Sequence, residues 1–515
     1  MAHADPIDSA RAGLSAGLIT QVGITLGFAV AVAMWCVGYI THLPAVQADS
    51  AIVGVLMLVT QFVGGVAAAR LRPSGGLGAA LAIAGVAALT TGAINLLVLG
   101  SVVTDDESGA LRSSALVVIA GAVVISLATA LLGALAGVWL ERRSRAPRQT
   151  IAIDRDRVRT DWFIAFAAIT AVAALPVILS GGLVTSHNAG LAVPDWPTSF
   201  NENMFLYPLS RMTGGIYYEH AHRLFGSLVG LCTLALFAMS LVAARGVMPR
   251  VLTLAALLLV SSQGAIGGLR VIKAEGESWR ETHATVADVD PSDVTNDYAL
   301  TTDTGMSVFA AVTHGVTGQI TLAWLAALPV VLAMRARAER RTDQSGAIDR
   351  RAGVTSPVLA TVFVAGLVFQ LVMGASARHL GDAGLKGANH ALITHVAFAV
   401  VLAVVGTFAA ARAARSGDRL QRQLGGSIAG LLVAQVTLGF VAIALVLPYS
   451  SPAPAGEWEA TFATAHQATG ALLLGAAAML AVSTARVEAR APKRTAASPG
   501  ALTEAKTIQP VAAVG

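Results

Sequence analysis

Apolar stretches of about 20 residues recur along the whole chain, and each is long enough to cross a hydrocarbon core about 30 Å thick. They lie at roughly 15–40, 51–69, 76–103, 114–140, 162–183, 221–244, 251–271, 306–334, 355–377, 390–411, 424–447 and 461–484. Inside each stretch Leu, Ala, Val and Gly follow one another continuously, without the alternation that a barrel strand needs. In hydrocarbon a backbone has only its own groups to bond with, so continuous apolar runs of this length become helices. The pattern predicts an all-α polytopic membrane protein with about 12 transmembrane helices.

Composition points the same way. Of 515 residues, 55% are hydrophobic and 13% charged, against about 25% charged in a soluble domain. The net charge of +5 is no signal for nucleic acid, because the basic residues sit between the apolar stretches. The connecting segments alternate in sign. Basic ones hold Arg70 and Arg72, Arg142 to Arg148, Arg245 to Arg250, Arg335 to Arg351, and Arg412 to Arg422. Acidic or neutral ones hold Asp105, Asp106 and Glu107, then Asn188–Tyr218, Glu275–Asp303 and Ser450–Glu459. By the positive-inside rule both termini are expected in the cytoplasm. The first helix starts near Leu14 and outruns a signal peptide's apolar core, so it is read as retained. No Arg-rich transit peptide is recognisable, which favours a prokaryotic cell (inner) membrane. Cys36 and Cys232 both fall inside apolar stretches and form no CxxC motif.

A basic linker at 146–161 separates an N-terminal four-helix module, 1–145, from eight further helices. Those eight read as a duplicated unit, two pseudo-symmetric four-helix bundles at 162–334 and 355–485. A second basic linker, 335–354, joins them, and a cytoplasmic tail expected to be disordered occupies 486–515. Gln263 in "QGAIGGLRV" precedes a helix with His314, as Gln435 in "QVTLGF" precedes one with His466. Weak internal repeats of this kind are common in membrane proteins.

Of eleven histidines, four mark one depth. His222, His314, His395 and His466 lie near the outer ends of the second and fourth helices of each unit. Ionisable groups inside spans usually face a bundle interior, where facing side chains bind cofactors, and imidazole is a standard axial ligand of haem iron. A lone histidine there would more often be an interfacial hydrogen-bonder; four at matching positions weaken that reading. Zinc is less suitable, since no His/Cys/carboxylate cluster at short spacing accompanies them. His187, His220, His379 and His390 are read as polar-rim residues, and His3, His42 and His283 carry no signal.

The two halves differ. "YEHAHR" sets Glu219 and His222 three residues apart, on one helix face, with Arg223 following. A carboxylate beside a haem-binding histidine suits proton transfer or stabilisation of positive charge; the plainer alternative is an interfacial Glu–Arg pair. "HALITHVAF" in the second half carries neither carboxylate nor arginine. The asymmetry suggests one catalytic and one electron-transfer half. Two rival classes stand beside an enzyme. A di-haem b electron-transfer protein would lack Glu219, and a transporter would place its polar residues at the midplane.

At these residues the sequence resembles the haem A synthase family. "GGLVTSHNAGLAVPDWP", "YEHAHRLFGSLVG", "QGAIGGLRV", "THGVTGQ", "QLVMGASARH", "ITHVAF" and "ATAHQATGALL" follow the family's order over about residues 160–485. The resemblance implies oxidation of the C8 methyl of haem O to a formyl group, giving haem A for cytochrome oxidase assembly. It implies Glu219 as essential carboxylate, with His222 and His314 at the substrate haem O. His395 and His466 would hold a haem b, all four histidines serving as axial iron ligands. Asp195 and Trp196, with Arg223, would belong to an outer loop over the substrate. Implied partners are haem O itself, haem O synthase, cytochrome oxidase assembly proteins, membrane lipid and further copies of the chain, with no nucleic acid. Three departures stand out. Val193 and Ser199 occupy places where some members carry cysteines. Val396 replaces an expected arginine after His395, which leaves His390 as an alternative ligand. The 272–305 loop is long and acidic. The first four helices lie outside the resemblance and are read as a fused interaction or stability module.

Overall fold

The computed structural model describes residues 15–73, 76–105, 110–144, 154–273, 305–344, 357–446 and 456–484. Among these residues twelve helices form, all long and apolar enough to cross a membrane, and no strand. They are α1 Ala16–His42, α2 Ser50–Leu71, α3 Leu77–Val103, α4 Ala115–Arg143, α5 Arg155–Ser186, α6 Gly214–Ala243, α7 Val247–Lys273, α8 Gly305–Gln344, α9 Pro357–Asp382, α10 Ala388–Ala414, α11 Arg419–Val446 and α12 Glu457–Thr484. Large apolar side chains stand exposed on the outside, Leu116 at 80% and Phe440 at 70% among them, as the hydrocarbon contact of a polytopic protein requires. The tail from 486 on, the Glu275–Asp303 segment, residues 146–153 of the first basic linker and 345–354 of the second lie outside the described residues.

Helix ends depart from the apolar pattern where local polar chemistry extends them. Asp154 caps α5, its Oδ1 accepting from the N–H groups of Asp156 and Arg157 at 3.1 Å each, so the helix starts inside the stretch read as linker. α8 runs on past the bilayer-length run through the pair Arg335–Glu339, 2.8 Å apart one turn on. α6 begins at Gly214, ahead of the expected 221, because "GGIYYEH" is too polar for a hydropathy window, yet Ile216 to His220 are buried beneath the α5–α6 loop.

α5 to α8 close a four-helix ring in chain order, and α9 to α12 close a second. The two bundles meet where α12 packs on α5 and α8, and α9 on α8. At this seam Ser186 and Thr464 hydroxyls lie 3.1 Å apart, and Arg378 Nη2 donates to the Thr185 carbonyl at 3.3 Å. The N-terminal four helices wind differently: α1 neighbours α2 and α3, while α4 neighbours α2 and α3. They are therefore no third copy of the repeat. In their core Gly133 of α4 sits so close to α2 that a Cβ would strike the Phe62 carbonyl, a small-residue approach typical of membrane helices.

One continuous core runs from α1 into the α5–α8 bundle. Phe28 meets Phe166 edge-on with centroids 5.0 Å apart, and Trp35 meets Phe225 at 6.1 Å. Gln21 Nε2 donates to the Arg159 carbonyl at 2.9 Å.

Candidate functional site

Each of the four marked histidines lies seven to nine residues inside its helix (314 − 305 = 9, 395 − 388 = 7), about 10–14 Å along the axis. They face each other in pairs. The rings of His222 on α6 and His314 on α8 have centroids 6.1 Å apart; those of His395 on α10 and His466 on α12 are 6.3 Å apart. His390 is exposed in the first turn of α10, and it is His395 that stands opposite His466. Among the described residues no group of three or more His, Cys, Asp or Glu could hold a metal ion. What the fold assembles are two-histidine sites.

The same seat recurs under every ring. A Cβ on Gly181 of α5 would come within 2.9 Å of His222 Cε1, and one on Gly374 of α9 within 2.8 Å of His395 Cε1. On Gly267 of α7 it would stand 3.3 Å from His314 Cε1, and on Gly439 of α11 3.0 Å from His466 Cε1. Each imidazole thus lies against bare backbone of the preceding helix. Four residues before each glycine come Val177, Gln263, Gln370 and Gln435, one turn back on the same face. His222 Nδ1 is 3.2 Å from the Val177 carbonyl and 3.1 Å from Ser180 Oγ; His395 Nδ1 is 2.9 Å from the Gln370 carbonyl. Carbonyls only accept, so Nδ1 carries the proton in those two rings and Nε2 keeps its lone pair. His466 Nε2 accepts from Gln435 Nε2 at 3.2 Å, and Gln263 Nε2 donates to Thr317 at 3.0 Å. The motif Q-x-x-x-G, present in three of the four preceding helices, is the sequence signal for these seats. Adding a methyl at Gly181 or Gly374 is expected to cost about 1–3 kcal/mol by overpacking. Thermal unfolding in detergent reads this as a lowered midpoint, and an unchanged midpoint for both would show that the seats are slack.

The residues fit a metal held between two imidazoles. Metal–nitrogen bonds of about 2.0 Å plus a half-width of roughly 1.2 Å for each ring span roughly 6.4 Å, close to both centroid separations. In His222 and His395 Nδ1 bonds a backbone carbonyl and Nε2 keeps its lone pair, the usual arrangement of a ligating histidine.

Among the described residues the first bundle carries a lid. The α5–α6 loop folds over the start of α6 and is held by two α6 side chains one turn apart. Glu219, buried, bonds Arg223 Nη2 through Oε1 at 2.6 Å, and its Oε2 accepts from the Val193 N–H at 2.8 Å. Arg223 donates further to the carbonyls of Val193 at 3.0 Å, Asp195 at 2.7 Å and Thr198 at 3.0 Å. The Asp195 carboxylate ties the loop to itself, accepting from the Phe200 and Asn201 N–H groups at 2.7 and 2.8 Å and from the Thr198 hydroxyl. Trp196, 40% exposed, lays its ring on Gly268 of α7, next to the seat of His314.

His220, read from sequence as a rim residue, is fully buried instead, because the loop covers it. Its Nδ1 lies 3.1 Å from Ser199 Oγ and its ring 5.2 Å from that of Tyr207. Ser199 and Val193 were legible only as departures from a family pattern, yet both are fully buried anchor points. His187 caps α5 and stacks on Tyr218 at 4.3 Å. Burial lowers its pKa from the ordinary histidine value against the opposing pull of Glu457. Burial likewise raises the Tyr207 phenol above its usual range.

Residues 164–388 match the model of a family described as cytochrome oxidase assembly protein (COX15-CtaA). The matched stretch takes in Glu219, His222 and His314 and ends at Ala388, ahead of His395. No curated protein and no solved structure matches the chain. The family match supports a role in cytochrome oxidase assembly.

Proposed function

From that match as premise, we propose that the chain is a haem A synthase, converting the C8 methyl of haem O to a formyl group. The observation that carries the reading is the inequality of two otherwise equivalent sites. Both bundles seat a facing histidine pair at the same spacing, but among the described residues the first alone has a buried carboxylate and a folded lid beside it. His222 and His314 bind the substrate haem O, and His395 and His466 bind a haem b. When bound, haem supplies the redox chemistry of iron.

This chain's residues supply position, exclusion of water and proton handling. Nδ1 hydrogen bonds to helix carbonyls orient the His222 and His395 rings. Trp196 and the loop keep water from the first site. Glu219 is a buried carboxylate three residues from His222 and, once released from the Val193 N–H, takes or gives a proton there. With the basic segments in the cytoplasm, both sites lie near the outer face of a prokaryotic cell membrane. Haem O synthase and other assembly proteins of the oxidase are the partners this chemistry needs.

The Glu219–Arg223 pair also suits a rival, a di-haem b electron carrier in which the pair only fastens the loop. Extraction and mass analysis of the haems on purified protein separate the two. Haem O and haem A beside haem b are expected; haem b alone, from cells supplied with haem O, would sink the synthase reading.

A further inference from the structure

The α5–α6 loop is gripped from two sides, and only one grip belongs to the bundle it covers. From within, α6 holds residues 193–199 through Glu219, His220 and Arg223. From without, the N-terminal module holds the rest. The end of α1 lays Tyr39 flat on Tyr217, centroids 5.6 Å apart and planes 7° from parallel, and edge-on to Phe225 at 5.4 Å. Tyr217 Oη donates to the Tyr39 carbonyl at 2.6 Å. Tyr39 and Leu43 pack on the small core beneath the loop that contains Val193, Tyr207 and Met212.

A second support comes from α3. Gly100 lies so close under the loop that a Cβ would strike the Phe205 carbonyl and come within 2.9 Å of Leu206 Cδ2. Ile94, Leu97 and Val98 share a core with Met204 and Phe205. The two supports are tied together, since Trp35 Nε1 of α1 donates to Asn95 Oδ1 of α3 at 3.0 Å.

We infer that the N-terminal four-helix module is a positioning partner built into the chain: through the ends of α1 and α3 it keeps the α5–α6 loop closed over the first histidine pair. None of these contacts of α1 and α3 is to a histidine of either pair; they reach the loop itself and the start of α6 on which it rests. The loop's own backbone hydrogen bonds include short turns, Ser199 with Glu202 and Leu206 with Asn203, and its side-chain ties, Asp195 to Phe200 and Asn201 and Arg211 to Glu202, span fewer than ten residues. Segments of that kind open at low free energy unless they are packed from outside. This inference does not depend on which haem the site takes.

Hydrogen exchange of the full-length protein, followed by mass spectrometry, tests it. In Gly100→Val the amides of 199–212 are expected to exchange about tenfold or more faster, with α9 to α12 unchanged. Tyr39→Ala should do the same. Tyr39→Phe should exchange like the parent, because the Tyr39 hydroxyl has no partner and the ring alone makes the support. Tyr217→Phe, which loses one hydrogen bond and keeps its packing, should speed the loop by less than Tyr39→Ala. Unchanged loop exchange in Gly100→Val and Tyr39→Ala overturns the inference. So does faster exchange spread evenly over α5 to α12, which would mark general loosening.

Discussion

Glu219→Gln is expected to lower haem A formation by about 10²–10⁴-fold, the usual contribution of a general acid–base group. The glutamine keeps the size of the side chain, and its amide oxygen still accepts from the Val193 N–H. Arg223 keeps its three carbonyl acceptors, so the loop stays fastened on that side. What is lost is the charge and the ability to exchange a proton. The pair is buried, with side chains 6% and 10% exposed, so some loss of stability accompanies the change. Product is therefore scored per bound haem, by chromatography of extracted haems from cells that make haem O. Haem O or its hydroxylated form should accumulate on the protein. Haem A at the parent's level per haem would reduce Glu219 to a loop fastener.

The second large effect concerns the other bundle. His466→Ala or His395→Ala should abolish low-spin haem b there, with affinity falling by more than about 100-fold, since even partners one shell out are worth 10–100-fold. The helices themselves should persist: each histidine rests against a glycine, and truncation frees the Gln370 carbonyl or the Gln435 amide but leaves no unpaired charge. Low-spin absorbance of the purified variants reads the result. Full haem b in both variants would remove these residues from the site and call for a ligand elsewhere.

Most of the helical architecture was visible in the sequence because membrane spans announce themselves by length. Each expected apolar stretch overlaps one helix of the fold. The pairing of the histidines was legible too, since matching depth on alternate helices of a repeat brings side chains face to face. The lid was not. Val193, Ser199 and His220 are ordinary residues in a loop, and their burial follows from a chain path that no periodicity encodes. Nor was the grip of the N-terminal module. Trp35, Tyr39, Tyr217 and Phe225 count merely as apolar in a hydropathy window, and the contact among them spans 178 residues of chain. The glycine seats lay in between: Q-x-x-x-G is visible once it is sought, but small residues are common in membrane helices for packing alone.

Because each imidazole is braced by the helix before it and faces one two helices on, neither site exists until its last helix has been made. Insertion of α5 and α6 alone delivers His222 already seated on Gly181 but facing nothing. The first pair closes when α8 arrives, and the second waits for α12, which also seals the seam against α5 and α8. From His314 to His466 is 152 residues of translation (466 − 314), roughly 8–30 s at about 5–20 residues per second. During that interval the nascent chain carries one complete histidine pair and one half-built one, so the two sites become available in order: first bundle before second, and the second only once α12 is in place.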